Sequence, residues 1–476
     1  EVPHMYSGNI LIVHLDTGRL EEAFLDDDLV TDRVGGALLG LELWRRHRDG
    51  DPVVLASGPL TGALVPTASS TAMTARSPLT GGVVHASVTN HAGPEIKYSG
   101  YDFIVLRGRA PEPVHLWVHD EQAELLDASD LWGSSPTTVA NALRQMQGDE
   151  RVQVLTAGPA CVAGSLASSL SVNHWASTDR AAVGALVASK NLLAMAFRGM
   201  GELEPADIDG FGPAVLGLMS RMRAYRPPEG FKWDGHRLDP ARKAIAPLVH
   251  RTRGCFFCSS SGRPYLMLDQ DPKLMERSEI DSPGVIISDL LPLGDLTVAG
   301  LDGHGIGEVA RTTYQLGLDP CRAASAVRRA GSGDALSARP VLEALARGEG
   351  APARGGGMAC WDLGDDTGAH QAFVDLGVFT PANPPLVPTS GAQGAYRLTI
   401  LQGISYILGM CPAGAVGAGI DADSIAPVME VATGLGLTPE DLEGLAHRLV
   451  TETLALNPGT EGRTSPVSDE LRGMFS

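Results

Sequence analysis

The residues best equipped for chemistry begin at "RTRGCFFCSSSGRPY" (251–265), where Cys255 and Cys258 stand in C-x-x-C spacing. Two thiols at that spacing open an iron–sulfur ligand loop, and a third cysteine is expected shortly after. Ser259, Ser260, Ser261 and Gly262 follow instead. Three further sets of residues could act. "SVTNHAG" holds Asn90 and His91, and an imidazole titrates near working pH, so His91 is the first candidate acid/base group. "NHWASTDRAA" holds His174, Asp179 and Arg180, and Arg76 precedes "SPLTG". Either arginine could clamp a carboxylate or phosphate through its planar fork, or sit in a structural ion pair. "CWDLGDDTGAHQ" carries Asp362, Asp365, Asp366 and His370, which read as a metal-binding cluster or as a solvated acidic turn.

These residues need a scaffold of more than one core, since 476 residues exceed what a single core usually organises. A net charge of −19 disfavours nucleic acid and anionic membranes as partners. No apolar run approaches the roughly 20 residues that span a bilayer, and no secretory signal is visible. "EVPHM" reads as a tag remnant with the natural start at Met5. Six scattered cysteines argue for reduced thiols and a cytoplasmic setting, with Cys161, Cys321 and Cys360 as buried small hydrophobes.

The pattern predicts an α+β chain: a β-rich domain over 5–205 and a mostly helical region over 206–476. "NILIVHLDTGRLEEAFL" reads as two strands about a turn at 16–18. "TDRVGGALLGLELWRRH" reads as one helix capped by Thr31 or Asp32. "SPTTVANALRQMQ" is a helix opened by Ser135 and Pro136. "DPARKAIAPLVHRTR" and "GIGEVARTTYQLGLD" have helical spacing. Thr438, Pro439 and Asp441 form a capping box for the last long helix. "YRPPEGFKWDGHRLDP" (225–240) is a connector and "RGEGAPARGGGMA" (347–359) a Gly-rich loop. No fixed-period repeat is visible. Walker, dinucleotide, H-E-x-x-H and G-x-S-x-G motifs are absent, and "GLDGHGIGE" (300–308) lacks the strand that a nucleotide loop requires.

Six segments, in order and spacing, resemble the tungsten-containing aldehyde:ferredoxin oxidoreductases: "GPLTG", "ARSPLTGG", "GPEIKYSGYDFIVLRGRAPEPVHLWVHD", "VGALVASKNLLAMAF", "LGLDPCRAA" and "YILGMCPAG". The resemblance covers most of 8–325 and 395–470. It implies a pterin-saddle-like β domain under mostly helical domains. It also implies a tungsten or molybdenum bis-pterin beside a [4Fe–4S] cluster, and aldehyde oxidation with ferredoxin as electron acceptor. Matched position by position, Cys255, Cys258 and Cys411 fall on three cluster ligands and Gly262 on the fourth. Three thiols could hold a three-iron cluster, a four-iron cluster with one other ligand, zinc, or nothing. Ser70, Ser87 and Ala176 fall on pterin-contacting residues, with Ser177 beside the last. Tyr314 and Tyr406 replace two acids, and Arg311 replaces a bridging histidine.

Removing one partner from a buried charged contact costs about 2–5 kcal/mol, so the resemblance implies loss of the metallopterin. The expectation is then a repurposed enzyme using the vacated cavity for a small organic substrate, in specialised biosynthesis. His91, Asn90, His174, Tyr314 and Tyr406 would be its catalytic groups. Arg76, Ser70, Ser87, Ala176, Ser177 and Arg180 would bind substrate. Two alternatives stay open: a genuine tungsten- or molybdenum-pterin, iron–sulfur oxidoreductase with ferredoxin as partner, and a non-catalytic partner subunit. A homodimer is compatible with each.

Overall fold

The computed structural model describes residues 3–177, 180–223, 231–233, 238–258, 262–269, 284–358, 367–381, 386–457 and 465–476. Asp179, Ser259, Ser260, Ser261, Cys360, Asp362, Asp365 and Asp366 lie outside them.

Short β-branched runs that are apolar at every position predict strands buried on both faces. β3 (Val53–Ser57) is buried along its whole length, and β12 (Leu192–Arg198) at all but its last residue. They sit near the centres of two six-stranded sheets. The first contains β1 (Asn9–His14), β2 (Arg19–Phe24), β3, β4 (Thr71–Arg76), β5 (Val83–Val88) and β6 (Phe103–Arg107), in the order β2-β1-β6-β3-β4-β5. The second contains β7 (Val114–His119), β8 (Gln122–Asp127), β9 (Gln153–Thr156), β10 (Ser171–Val172), β11 (Ala176–Ser177) and β12, in the order β8-β7-β12-β9-β10-β11.

The two orders are the same topology. Each sheet opens with a hairpin, pairs its last strand parallel to its first, and continues antiparallel. Each carries a helix between its second and third strands, Gly36–Arg46 in one and Pro136–Gln147 in the other. The sequence marks the duplication with "GP" at 58–59 and 158–159, "ASS" at 68–70 and 167–169, and "RG" at 107–108 and 198–199. The fold therefore has an internal repeat where no fixed period is visible in the sequence.

The helical region repeats too. Helix Gly303–Leu316 ends at Gly317, and Asp319 caps helix Pro320–Ala330. Helix Gly391–Leu408 ends at Gly409, and Cys411 precedes helix Pro412–Gly417. Both glycines are left-handed, at φ 68° and 85°, the conformation in which a Cβ is penalised. Each helix end docks on the matching sheet: Ser70 N donates to Gly409 O at 3.1 Å, and Ser169 N donates to Gly317 O at 2.9 Å. The core follows this pairing rather than a boundary near 205. Helices of 391–454 share one core with the first sheet, while residues 241–346 form a second core with Ala160 and Ala167.

Two local expectations change. The helix expected over 31–47 is two, Asp27–Arg33 capped by Asp26 and Gly36–Arg46, so Thr31 and Asp32 lie inside the first. Val34 at φ 60° breaks them apart, allowing Gly36 to press against the Tyr406 and Ile407 carbonyls. Residues 249–253, expected to be helical, form a strand that pairs with Arg263–Met267, which in turn pairs with Gly284–Ile286. The apolar spacing over 239–253 belongs to helix Asp239–Ile245, and Pro247 stops it. The caps at Ser135 and Thr438 form as read.

Candidate functional site

The first sheet's rim carries two non-glycine residues in the left-handed region, Thr67 (φ 67°) and Asn90 (φ 70°). Thr67 accepts the Cys411 N–H on its carbonyl at 2.7 Å and donates its own N–H to Phe257 O at 3.1 Å. Asn90 O accepts the Phe256 N–H at 3.2 Å, and Asn90 Oδ1 faces Cys255 Sγ at 3.7 Å. The cysteine loop and the Cys411 turn thus rest on the same rim. All three thiols are partly accessible. Burial and the neighbouring Cys255 sulfur push the Cys411 thiol up to about 12, with Cys258 adding to the rise and Arg263 opposing it.

Arg263 is the residue that the sequence reading missed. It stands directly after Gly262, hydrogen-bonds Asn90 Oδ1, and is half-buried. His91 lies beside it and edge-on to Phe256, with ring centroids 6.3 Å apart. Surrounding atoms, then the Arg263 charge, lower the pKa of His91, so its ring is neutral at pH 7 although the residue reaches solvent. The available signal was charge: an arginine follows the place where a thiolate is missing.

Arg180 belongs to the other half. It is buried with its guanidinium on Asp289, on Asp319 Oδ1 at 3.0 Å and on the Pro381 carbonyl at 3.0 Å. Burial opposes its charge, but Asp289, Cys321 and Asp319 outweigh it and raise the pKa. Tyr314 is buried beside this pair, accepts the Ser288 N–H at 3.2 Å, and meets Trp175 edge-on. Tyr406, its counterpart, stacks on Phe379 at 4.7 Å, with its hydroxyl facing Thr380 without a well-formed hydrogen bond. Burial raises both phenols, so both remain protonated donors.

The structure brings Asn90, His91, Cys255, Cys258, Cys411 and Arg263 together, with Tyr314 within reach of the Arg263 charge. Ser70 and Ser87 pair with each other at 2.6 Å on the adjoining strands. His174 stands apart. It accepts or donates to Asn141 at 2.8 Å and contacts Arg144 at 3.4 Å. Burial and then Arg144 lower its pKa to about 3, which makes it a neutral core group. Arg76 is exposed, bonded to Gly81 O at 2.9 Å and lying over Trp44. Ala176 and Ser177 form the edge strand β11. Arg311 pairs with Glu308 on its own helix at 2.6 Å. His370 is buried against Phe373. Among the described residues, no three His, Cys, Asp or Glu side chains converge as a metal site.

Two groups implied by the resemblance can be tested on this donor set. Cys255, Cys258 and Cys411 offer three thiolates, and Gly262, which stands before Arg263, has no side chain to offer a fourth. Of the groups that would face a polyanionic pterin, Arg180 is held by two carboxylates, Ser70 and Ser87 pair with each other, and Phe379 stacks on Tyr406, whereas Arg263 has no carboxylate partner among the described residues.

A paired β saddle closed by two helix–glycine–helix arms defines the class of protein, and comparison with known proteins agrees. One chain of the active site complex BamBC of benzoyl coenzyme A reductase, solved with 1,5-dienoyl-CoA, superposes with a TM-score of 0.72. The match covers 100% of this chain and 94% of that one at 16% identity, a likeness of fold alone. Residues 10–199 match the family model of the aldehyde ferredoxin oxidoreductase N-terminal domain. A tungsten-containing aldehyde ferredoxin oxidoreductase of Pyrococcus abyssi is 34% identical over 226 residues, 46% of this chain and 37% of that protein. The aliphatic sulfonate oxidoreductase, WOR-like subunit, of Pyrococcus furiosus is 28% identical over 223 residues, 42% of this chain and 35% of that one. The matches thus span little more than a third of these relatives' length. Among the described residues no helix is long and apolar enough to cross a membrane.

Proposed function

We propose that the protein is an enzyme on the aldehyde ferredoxin oxidoreductase fold that works without a metallopterin. It binds a small organic substrate where the first sheet's rim meets the Cys411 turn, and its chemistry is acid–base and electrostatic. The observation that carries this reading is that groups at both helix–glycine turns are already engaged. Arg180 is committed to Asp289 and Asp319, and on the first-sheet side the Phe373–Phe379–Tyr406 rings stack at 6.5 and 4.7 Å. The first half keeps its reactive groups accessible. His91, held neutral, accepts a proton at an imidazole nitrogen. Asn90 orients the substrate, and the Tyr314 O–H donates to oxygen that gains negative charge. A role in specialised biosynthesis fits an enzyme that keeps an inherited shape for new chemistry.

The test is elemental and pterin analysis of full-length protein made anaerobically with iron, tungstate and molybdate supplied. The expected result is neither tungsten nor molybdenum and no pterin fluorescence. Either metal at one per chain together with pterin overturns the proposal. A second reading, an iron–sulfur oxidoreductase, is favoured by the crowding of Cys255, Cys258 and Cys411. The same preparation decides it, through iron content and thiolate-to-iron absorption that disappears in Cys411→Ser.

A further inference from the structure

Arg180 and Arg263 differ in what their guanidinium groups hold. Arg180 has two carboxylates of its own. Arg263 has none within ion-pair distance among the described residues, where its single hydrogen bond goes to Asn90 Oδ1. A half-buried cation without a counter-ion carries a field that water screens only in part. The groups around it are short of acceptors and rich in unspent donors. Asn90 uses its oxygen for Arg263 and Cys255, and its amide N–H groups have no partner among the described residues. The His91 ring makes an edge contact with Phe256 and no hydrogen bond among those residues. The Tyr314 oxygen takes an N–H from Ser288, which leaves its own hydrogen unspent. Where the second half places the Asp319 carboxylate at the helix start, the first half places Cys411.

We propose that Arg263, with Asn90 and His91, forms a receptor for the oxyanion of a small ligand: a carboxylate, sulfonate or phosphate group. The ligand supplies the negative charge that Asp289 and Asp319 supply to Arg180. Guanidinium forms two parallel N–H···O bonds to such groups, and one edge of the fork stays open when Nη1 bonds Asn90. The receptor rests on the proposed placement of substrate at this junction and names the class of substrate it selects.

The experiment is calorimetric titration of the full chain, in chloride-poor buffer, with sodium acetate, sodium methanesulfonate and inorganic phosphate in separate runs. At least one probe saturates at one site per chain, and which one identifies the oxyanion. Arg263→Gln weakens that binding by at least about tenfold, the size expected for a lost charge-assisted contact. Arg263→Lys keeps part of it, and Arg19→Gln, at an exposed arginine, leaves it unchanged. Saturable binding by none of the three probes overturns the proposal, as does wild-type affinity in Arg263→Gln. If Arg263→Gln fails to fold, protection of Arg263 from phenylglyoxal in the wild-type protein decides, and modification at the same rate with and without the probe overturns it. Metal and pterin content are measured on the same sample. Pterin together with saturable anion binding sinks the proposed function and spares the receptor, whereas absence of both does the reverse.

Discussion

The first and second halves of this molecule share a sheet order, a docking helix turn and a tyrosine three residues before the closing glycine, yet they manage charge in opposite ways. In the second half the protein answers its own cation, with Asp289 and Asp319 around Arg180. At the first sheet's rim, Arg263, on a strand of the second core, stands beside thiols, an imidazole and an amide. The left-handed residue ahead of the following helix is Ala182 in the second half and Asn90 in the first. One half is closed by its own side chains, and the other presents groups with unspent hydrogen-bonding capacity.

Mutations at the two cations should break this comparison most clearly. Arg180→Ala strips Asp289 of its cation and leaves Asp319 only Arg322 at 3.8 Å, and should cost about 3–5 kcal/mol in urea unfolding. Arg263→Ala, with no carboxylate to strand, should change stability by less than about 1 kcal/mol. Equal losses would erase the distinction.

Acid is the next lever, because each half buries a histidine whose pKa is lowered to about 3. His85 bonds Thr74 at 2.8 Å and Thr453 at 2.9 Å, and burial lowers its pKa to about 3. His174 is also lowered to about 3. Both pKa values are depressed on folding, so their contribution is complete above the unfolded value near 6.5 and is lost as pH falls towards 3. Between pH 7 and pH 4 each histidine should remove about 3 kcal/mol of stability. His85→Gln should flatten half of that slope, and a urea midpoint independent of pH over this range would refute it.

Smaller effects sharpen the seam. A Cβ at Gly58 would overlap the Leu408 and Gly409 backbone, whereas one at Gly158 would meet Gly317 Cα at 3.0 Å. Gly58→Ala should therefore destabilise by about 1–3 kcal/mol, and by more than Gly158→Ala. Thr453→Val removes one hydrogen bond from His85 and should cost about 1 kcal/mol by thermal unfolding.

What could be read from the chain divides along the same physical line. Local signals were legible: the Ser135 and Thr438 caps form as their residue types dictate, and buried β-branched runs became strands. Groups set by long-range packing were not. The repeat escaped because its offset drifts, with β7 starting 105 residues after β1 and β12 starting 89 residues after β6. Arg263 escaped because attention fell on the cysteine missing before it, and no local rule predicts that residue 263 meets residue 90. Conversely, Arg180 and His174 carry residue types suited to chemistry, but partners far away in sequence, Asp289 and Asn141, have engaged them.

Thr67 has a mechanical consequence. Its nitrogen holds one arm of the thiol set and its carbonyl the other, although those arms lie more than 150 residues apart in the chain. A displacement of this one rim residue carries Phe257 and Cys411 in the same direction. The spacing between sulfurs is thereby tied to a single residue of the sheet.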